Sequence, residues 1–451
     1  MNPAWTNETT LHPIGLAAVL LLGVAMLLVP RRHAVIPMLL LACFIAPAQR
    51  VVVATLDFNL LRLLVLFGWV RVLIYGETLG FRWKPIDAVV IAWTIAGTMA
   101  MTLQTTAMAT LVNRLGVAFD AIGMYFLFRL LVRDWEDVLI IARWTALLSF
   151  PVACVFLVEH TTGRNMFSIF GGVPEVTMIR QGRLRCQGPF THPIIAGAFW
   201  AVLLPLIATL WHDRGHFRWL CVPAMAACVT VVATTASSTP LSALIAAAFA
   251  GAMFPLRRWL GWIHAMGIFG LIVLQAVMNN PIWYLVARVD LVAGSTGWYR
   301  YKLIDLTVQH FEEWWLIGTP HYASWWRYGG SDLTNEYVRQ ALHGGLLTLL
   351  LFAGIILVAF RDAGRIRRTA SDQHRVITGW ALGSMLFVHC VVFIAVAYFG
   401  QINMIWYLTL AMIASLAPVR SSHRGRWARP AAHAGPGTGT RRLVSTFGGA
   451  R

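Results

Sequence analysis

Two polar segments of this chain contain arginines at positions that suit the binding of an anion. The first segment, residues 180–193, contains three arginines: Arg180, Arg183 and Arg185. The second segment, residues 295–348, contains Arg300. Guanidinium groups stay charged at any working pH and bind phosphate oxygens in bidentate geometry. Because both segments adjoin long apolar runs, these residues predict binding of a lipid-linked phosphate at a membrane surface.

Each of these candidates also has a simpler interpretation. The three arginines of the first segment suit a solvated loop or one that binds lipid headgroups. The acidic neighbours of Arg300 at 305–313 can pair with it or with Lys302. His192 precedes Pro193 at a predicted helix start, where proline is tolerated and the helix N-terminus favours anions. His192 is therefore a candidate substrate-binding residue or, equally, a structural cap.

Two further candidates, Asn335 and Glu336, precede the apolar run that begins near 339. Glu336 is either a first-turn acid that complements the helix dipole or a general base. Asn335 is a candidate substrate-binding residue. Charged residues within the apolar runs are few, and Arg114 and Asp120 are predicted to pair with each other or with neighbouring helices.

The composition indicates the elements that must position these residues. The chain has 451 residues, of which 58% are hydrophobic and only 12% are charged, whereas soluble proteins carry about 25% charged residues. Its apolar runs approach the roughly 20 residues that a membrane-spanning helix needs. We therefore predict an all-α polytopic membrane protein. The six cysteines show no metal-ligand spacing, so neither a metal nor a cofactor is expected.

The apolar runs predict about 12–13 transmembrane helices within a single domain at 1–417. They lie near 12–29, 34–48, 57–75, 86–104, 116–132, 137–158, 192–211, 218–235, 240–256, 259–278, 340–360, 376–397 and 401–417. The net charge of +17 comes mainly from arginines in alternate short loops and in the tail. The positive-inside rule explains this distribution, and nucleic acid is not an expected partner.

That orientation places the N-terminus and two longer loops outside, at about 159–191 and 279–339. The later loop is rich in Trp and Tyr, which favour a membrane interface and also form platforms for sugar rings. The tail at 418–451 is basic and rich in Gly, Pro and Ser. We expect it to be cytoplasmic, disordered and in contact with anionic membrane lipids.

Two motifs resemble those of the O-antigen ligase/polymerase-like membrane protein family. The stretch from Arg185 through His192-Pro193 to Gly197 resembles the family's R-x-x-G-x-F-x-H-P-N-x-x-G motif. Asn335, Gly345 and Thr348 match a second signature, in which Thr334 stands where the family has histidine. Arg300 with 316–318 resembles the run before that signature, and 235–238 resembles a Ser-Arg-Gly segment without its arginine. The similarity covers roughly 180–360.

The resemblance implies a metal-independent, inverting membrane glycosyltransferase with a GT-C-like fold and a large late periplasmic loop. Such proteins act at the periplasmic face of the bacterial inner membrane. They transfer a glycan from undecaprenyl diphosphate to a hydroxyl group. Arg185 and Arg300 would stabilise the charge that develops on the leaving diphosphate, with Arg180 and Arg183 assisting.

The resemblance leaves the acceptor and the base open. In polymerases the acceptor is another lipid-linked repeat unit, and in O-antigen ligases it is lipid A-core. Thr334 is not basic, so Glu336, His321 and His192 are the candidate bases, and late deprotonation without a strong base is the other option. His321, like His192, is also a candidate substrate-binding residue. This departure favours a polymerase, for which a chain-length regulator is a candidate partner. Two different classes of protein also stay open: a lipid-linked glycan flippase and a catalytically inactive relative.

Overall fold

The computed structural model describes residues 9, 11–53, 56–288, 297–326 and 332–418. The predicted basic tail after 418 lies outside the described residues. So do residues 295–296 of the second polar segment and the parts of the predicted outer loop at 289–294 and 327–331.

Helices form most of the described chain. Those of the first part are α1 (Pro13–Leu28), α2 (Ile36–Phe44), α3 (Leu60–Ile74), α4 (Pro85–Thr105), α5 (Met108–Ala118), α6 (Met124–Leu131) and α7 (Trp135–Thr162). Those of the second part are α8 (Pro193–Ala208), α9 (Arg218–Thr234), α10 (Ser238–Ala252), α11 (Leu260–Val277), α12 (Leu285–Arg288), α13 (Gly297–Gln309), α14 (Phe311–Trp314), α15 (Glu336–Thr369), α16 (Gln373–Ala395) and α17 (Ile402–Leu416).

The length and composition of these helices identify a multi-pass membrane protein. In the described part of the chain, 7 helical segments are long and apolar enough to cross a membrane, and shorter apolar helices accompany them. Each apolar run predicted as a span contains a helix. Helix α2, within the predicted span 34–48, has only 9 residues. That length corresponds to about 14 Å, less than half of the hydrocarbon core.

Helix α8 lies at the centre of the bundle and packs against α7, α9, α10 and α16. Its residues from Ile195 to Ile207 are all buried. A helix that is apolar on every side is stable only when other apolar groups surround it. By contrast, α11 has no buried residue. The structure therefore fixes the N-terminal end of α8, which carries the first motif, more firmly than any surface helix.

Helix α15 is interrupted at Gly345, which the second motif includes. Gly345 has φ 70° and ψ −172°, a conformation that is essentially restricted to glycine. A Cβ atom there would lie 2.5 Å from the Leu316 carbonyl oxygen. The break therefore allows the loop before 319 to pack against α15, and Leu346 N–H donates to the Trp315 carbonyl (2.8 Å).

Two short antiparallel hairpins accompany the helices. Strands β1 (Arg50–Val53) and β2 (Leu56–Asn59) form the first. Strands β3 (Met178–Arg180) and β4 (Arg183–Arg185) form the second. In the second hairpin, Gln181 and Gly182 have φ values of 51° and 72°, as a two-residue type I′ turn requires.

Candidate functional site

The β3–β4 hairpin places the three arginines of the first polar segment on one face. Arg180 is paired with Arg183, and Met178 is paired with Arg185. Because paired residues share a face and alternate residues of a strand do too, all four side chains belong to the same side of the hairpin. Like charges in directly opposite positions destabilise a hairpin. An anion bound on this face would relieve that repulsion.

Arg185 extends from the hairpin into the protein, and its side chain is 4% exposed. Its Nη2 donates to the Ser237 hydroxyl at 3.3 Å. Its Nη1 lies 3.8 Å from the Met178 sulfur, which is a weak acceptor. Its Nε is buried, and no described residue accepts a hydrogen bond from it. The Arg185 guanidinium thus retains donor capacity inside the protein.

Arg300, on α13, contacts the start of α10, which Arg185 also contacts through Ser237. It is 7% exposed, its Nη2 donates to the Thr239 hydroxyl at 3.0 Å, and its Nε donates to the Ala395 carbonyl at 3.2 Å. The Cα atoms of Ser237 and Thr239, two residues apart, are separated by at most about 7.6 Å. Two arginines that are distant in the sequence therefore converge at the start of α10. We call Arg185, Arg300, Ser237 and Thr239 the arginine pocket.

No carboxylate balances the arginine pocket in the described part of the chain. Neither Arg185 nor Arg300 has an Asp or Glu oxygen within 4.0 Å there. Asp305, the acid nearest to Arg300 in the sequence, pairs instead with Lys302 at 3.2 Å. A buried charge that lacks a partner is costly. The arginine pocket therefore suits a ligand that brings its own negative charge.

The electrostatics of the pocket support this interpretation. Burial, followed by the charge of Arg180, lowers the pKa of Arg300 to about 10. The same two causes lower the pKa of Arg185. Both groups remain protonated at neutral pH. Arg180 and Arg183 share the hairpin face with Arg185, and both are exposed.

His192 caps α8 beside the arginines. Its Nδ1 accepts a hydrogen bond from Ile194 N–H at 3.1 Å, which assigns the proton of the neutral ring to Nε2. Burial, followed by the charges of Arg185 and Arg180, lowers the pKa of His192 to about 4. At neutral pH His192 is therefore an uncharged cap whose other nitrogen is a hydrogen-bond donor.

Glu159, which the sequence did not single out, fixes the loop between the hairpin and α8. It is fully buried at the end of α7. It accepts hydrogen bonds from Gly188 N–H (2.8 Å), Gln187 N–H (3.1 Å) and the Thr177 hydroxyl (3.1 Å). An acid near a helix C-terminus opposes the helix dipole. The position of Glu159 near the C-terminal end of a predicted helix was therefore the sequence feature that could have indicated another role for it.

The hydroxyl groups of Ser237 and Thr239, which accept hydrogen bonds from the two arginines, were also missed as site residues, although the sequence drew attention to 235–238. Ala236 has φ 42°, which is a strained conformation for a residue with a Cβ atom. A Cβ atom on Gly197 would lie 2.5 Å from Pro240 and 3.0 Å from the Thr235 hydroxyl. The close approach of α8 at Gly197 thus fixes the start of α10, where Arg185 and Arg300 meet.

Asn335 and Glu336 lie at the helix end beside Arg300. Asn335 caps α15 through Val338 N–H (3.0 Å) and donates to the Ile394 carbonyl (3.1 Å). Glu336 is 2% exposed and accepts from Arg339 (2.6 Å), Gln340 (2.6 Å) and Tyr398 N–H (2.8 Å). Both carboxylate oxygens of Glu336 are therefore in use, and these contacts hold the 394–398 segment against α15.

His321, the remaining predicted substrate-binding residue, is exposed. Its backbone N–H donates to the Thr319 hydroxyl at 3.2 Å. In the described part of the chain, no hydrogen bond or ion pair joins its ring to the arginine pocket. The structure thus brings together Arg185, Arg300 and His192, with Asn335 adjacent. Arg180 and Arg183 lie on the exposed part of the hairpin face that carries Arg185, and His321 lies at the surface.

Comparison with known proteins does not assign this chain to a family. No protein-family model matches the chain, and no curated protein matches it at a significant level. The choice of a function therefore depends on the chemistry of the arginine pocket and on the membrane that the helices require.

Proposed function

We propose that this protein is a bacterial polysaccharide polymerase of the inner membrane. It transfers a glycan from undecaprenyl diphosphate to a hydroxyl of another lipid-linked repeat unit, with inversion at the anomeric carbon. The arginine pocket faces the periplasm in this proposal. The architecture is GT-C-like, with about 12–13 transmembrane helices and a large late periplasmic loop.

The observation that carries the proposal is the pair of buried arginines without a described carboxylate partner. When the bond between the anomeric carbon and the diphosphate breaks, negative charge develops on the leaving oxygen. Guanidinium groups already fixed at that position stabilise this charge without reorganisation. Arg185 and Arg300 are fixed in this way by Ser237, Thr239 and the Ala395 carbonyl. Arg180 and Arg183 extend the positive surface along the hairpin.

The geometry of the candidate bases favours late deprotonation of the acceptor hydroxyl. The carboxylate of Glu336 is occupied by three donors, and His192 presents a donor nitrogen rather than a free lone pair. A strong base is less necessary when the leaving group departs early, because the anomeric carbon is then highly electrophilic. In this mechanism His192 and Asn335 are substrate-binding residues, and Glu336 positions the 394–398 segment.

The aromatic residues of the second polar segment provide a surface for a glycan. Tyr299 and Trp326 stack with their ring centroids 4.5 Å apart. Trp298, beside Tyr299, is 63% exposed. Tyr299 directly precedes Arg300 in α13, so one ring of the stacked pair is next in sequence to an arginine of the pocket. Sugar rings pack on such faces.

The direct test is polymer length in cells that carry Arg185→Ala or Arg300→Ala. We expect products limited to single repeat units, because leaving-group stabilisation is lost. Arg164→Ala is the matched control: Arg164 lies before the hairpin, is 75% exposed and pairs with Glu175 at 3.2 Å. Normal polymer at a normal protein level in the pocket variants would refute the assignment.

An O-antigen ligase is the second candidate, because Asn335, Gly345 and Thr348 match the ligase-type spacing and Gly345 produces a defined break in α15. The hydroxyl of Thr334, at the position of the family histidine, is buried without a described partner. A deletion strain separates the two functions. Loss of attachment with free polymer retained indicates a ligase, and single-repeat products indicate a polymerase. Accumulation of precursor on the cytoplasmic side would instead indicate a flippase.

A further inference from the structure

A second cationic cluster lies at the start of α15, outside the arginine pocket. Gln104, at the end of α4, donates to the carbonyls of His343 (3.0 Å) and Leu342 (3.3 Å), so the turn between α4 and α5 lies against this part of α15. The charge of Arg339 in α15 acts on Arg114 in α5. Both charges also act on His343, one helical turn after Arg339. The Nε atoms of Arg114 and Arg339 are buried, and neither has a hydrogen-bond partner among the described residues. We call Arg114, Arg339 and His343 the second cluster.

The carboxylate expected to neutralise this cluster is used elsewhere. Asp120, a predicted partner of Arg114, binds Arg62 instead, with both oxygens at 2.7 Å. Arg339 shares one oxygen of Glu336 with Gln340. Among the described residues, Arg339 therefore has one carboxylate partner, Glu336, and Arg114 has none. The second cluster keeps a net positive charge at the edge of the bundle.

The two cationic sites are adjacent. Asn335 donates to the Ile394 carbonyl and Arg300 to the Ala395 carbonyl, so the start of α15 lies beside the arginine pocket. Arg339 follows Asn335 by four residues, about 6 Å along the helix axis. Glu336 joins the two regions, since one oxygen accepts from Arg339 and the other from Tyr398 N–H.

We propose that Arg114 and Arg339 bind the diphosphate of a second lipid-linked glycan, which is the acceptor. This inference rests on the proposed polymerase function. The acceptor hydroxyl oxygen bonds to the donor's anomeric carbon, and the bond from that carbon to the donor diphosphate breaks. The departing diphosphate keeps the electron pair, and the hydroxyl proton passes to solvent. The acceptor's own diphosphate is unchanged, so polymerisation requires two anion sites at once.

Binding stoichiometry tests this proposal. The full chain is reconstituted in phosphatidylcholine nanodiscs and titrated with farnesyl diphosphate as the probe. We expect two sites for the wild-type protein. Arg114→Gln should weaken one of them about tenfold to a hundredfold, the effect of losing one charge-assisted hydrogen-bonded contact. Arg300→Gln should weaken the other, and Arg114→Lys should retain most of the binding.

The controls separate this proposal from the proposed function. Arg164→Gln, with the same charge change on an exposed side chain, should keep both sites. A single site that only Arg300→Gln removes would overturn the acceptor site and leave the pocket assignment standing. A single site that only Arg114→Gln removes would contradict the pocket assignment. If phosphatidylglycerol in the nanodisc displaces the probe from the Arg114 site, that site binds a structural lipid and the acceptor proposal is wrong.

Discussion

Buried arginines occur at both ends of this helix bundle, but their partners differ. Asp137 and Glu159 mark the two ends, since they are 22 residues apart in α7, about 33 Å along its axis. At the Asp137 end, the buried Arg71 and Arg129 bind Glu77 (2.9 Å) and Asp87 (3.0 Å). The half-buried Arg31 and Arg143 of that end bind Asp137 (2.6 Å) and Asp213 (2.9 Å). At the Glu159 end, the half-buried Arg62 and Arg339 also have carboxylate partners, but the buried Arg185 and Arg300 bind only neutral oxygen and sulfur atoms among the described residues.

In the proposed function, this difference separates arginines that stabilise the fold from arginines that bind a ligand. The charge of a buried arginine that pairs with a carboxylate is neutralised. Removing either partner leaves the other as an unpaired charge in a region of low polarity. A buried arginine that has only hydroxyl and carbonyl partners already bears that desolvation cost. Its removal should therefore affect ligand chemistry far more than folding. The two ends should respond to mutation in opposite ways.

The largest effect on stability is expected at the carboxylate-paired end. Asp87→Ala removes the acceptor of Arg129 (3.0 Å) and of the Tyr125 hydroxyl (2.5 Å). The unpaired, buried charge of Arg129 should lower the free energy of unfolding by about 3–5 kcal/mol. Thermal unfolding of the detergent-solubilised protein measures the change. The variant Arg129→Ala should be similarly unstable. Wild-type stability in both variants would show that these pairs contribute nothing.

The arginine pocket should show the reverse pattern. Arg300→Ala should leave the unfolding midpoint unchanged or raise it, because an uncompensated buried charge is removed. The elongation rate should fall about 100- to 1,000-fold, corresponding to about 3–4 kcal/mol of transition-state stabilisation. Activity of the folded, purified variant gives the rate, and a thermal scan gives the midpoint. A destabilisation as large as that of Asp87→Ala would mean that Arg300 has a structural partner. The proposed difference between the two ends of the bundle would then be wrong.

The helices could be predicted because a membrane-spanning helix requires a long run of apolar residues, which is visible in the sequence. Each predicted span contains a helix, although α2 is shorter than its apolar run because Ile45 leaves the helical conformation. The convergence of Arg185 and Arg300 remained only a hypothesis, because nothing local links the two segments. What joins them is the start of α10, whose Ser237 and Thr239 side chains have no distinctive sequence signal.

Ion pairing was the least predictable feature. Asp120 was predicted to pair with Arg114 or with a neighbouring helix, and packing selected Arg62 of α3. Asp305 had Arg300 and Lys302 as possible partners, and it binds Lys302. Such choices depend on side-chain directions that one sequence does not specify. Glu159 was missed for the same reason, since its partners are backbone N–H groups of the loop after the hairpin.

Glu159 provides an intermediate test, because it is a carboxylate at the arginine end that binds no arginine. Glu159→Gln replaces one acceptor oxygen with a donor that faces a backbone N–H. Loss of this charge-assisted hydrogen bond should cost about 1.5–3 kcal/mol and loosen the loop that carries Arg185. We expect weaker farnesyl diphosphate binding together with a lower unfolding midpoint. Thr177→Val, which removes only the hydroxyl contact, should have a smaller effect. Unchanged binding in Glu159→Gln would show that the loop is held without it.

The smallest effect concerns the pH dependence of His192. Its pKa is about 4 in the folded protein and about 6.5 when unperturbed. Between these pH values the unfolded chain binds a proton that the folded chain does not, so the contribution of His192 to stability falls as the pH drops from about 6.5 to about 4. In His192→Asn the asparagine can still cap α8, and stability at pH 7.5 should change by about 0.5 kcal/mol or less. On acidification the wild type should therefore lose stability relative to the variant, and it should become the less stable of the two near pH 4. Parallel stability curves over this range would show that the arginines do not lower the proton affinity of His192, and would weaken the case for a positive pocket at this end of the bundle.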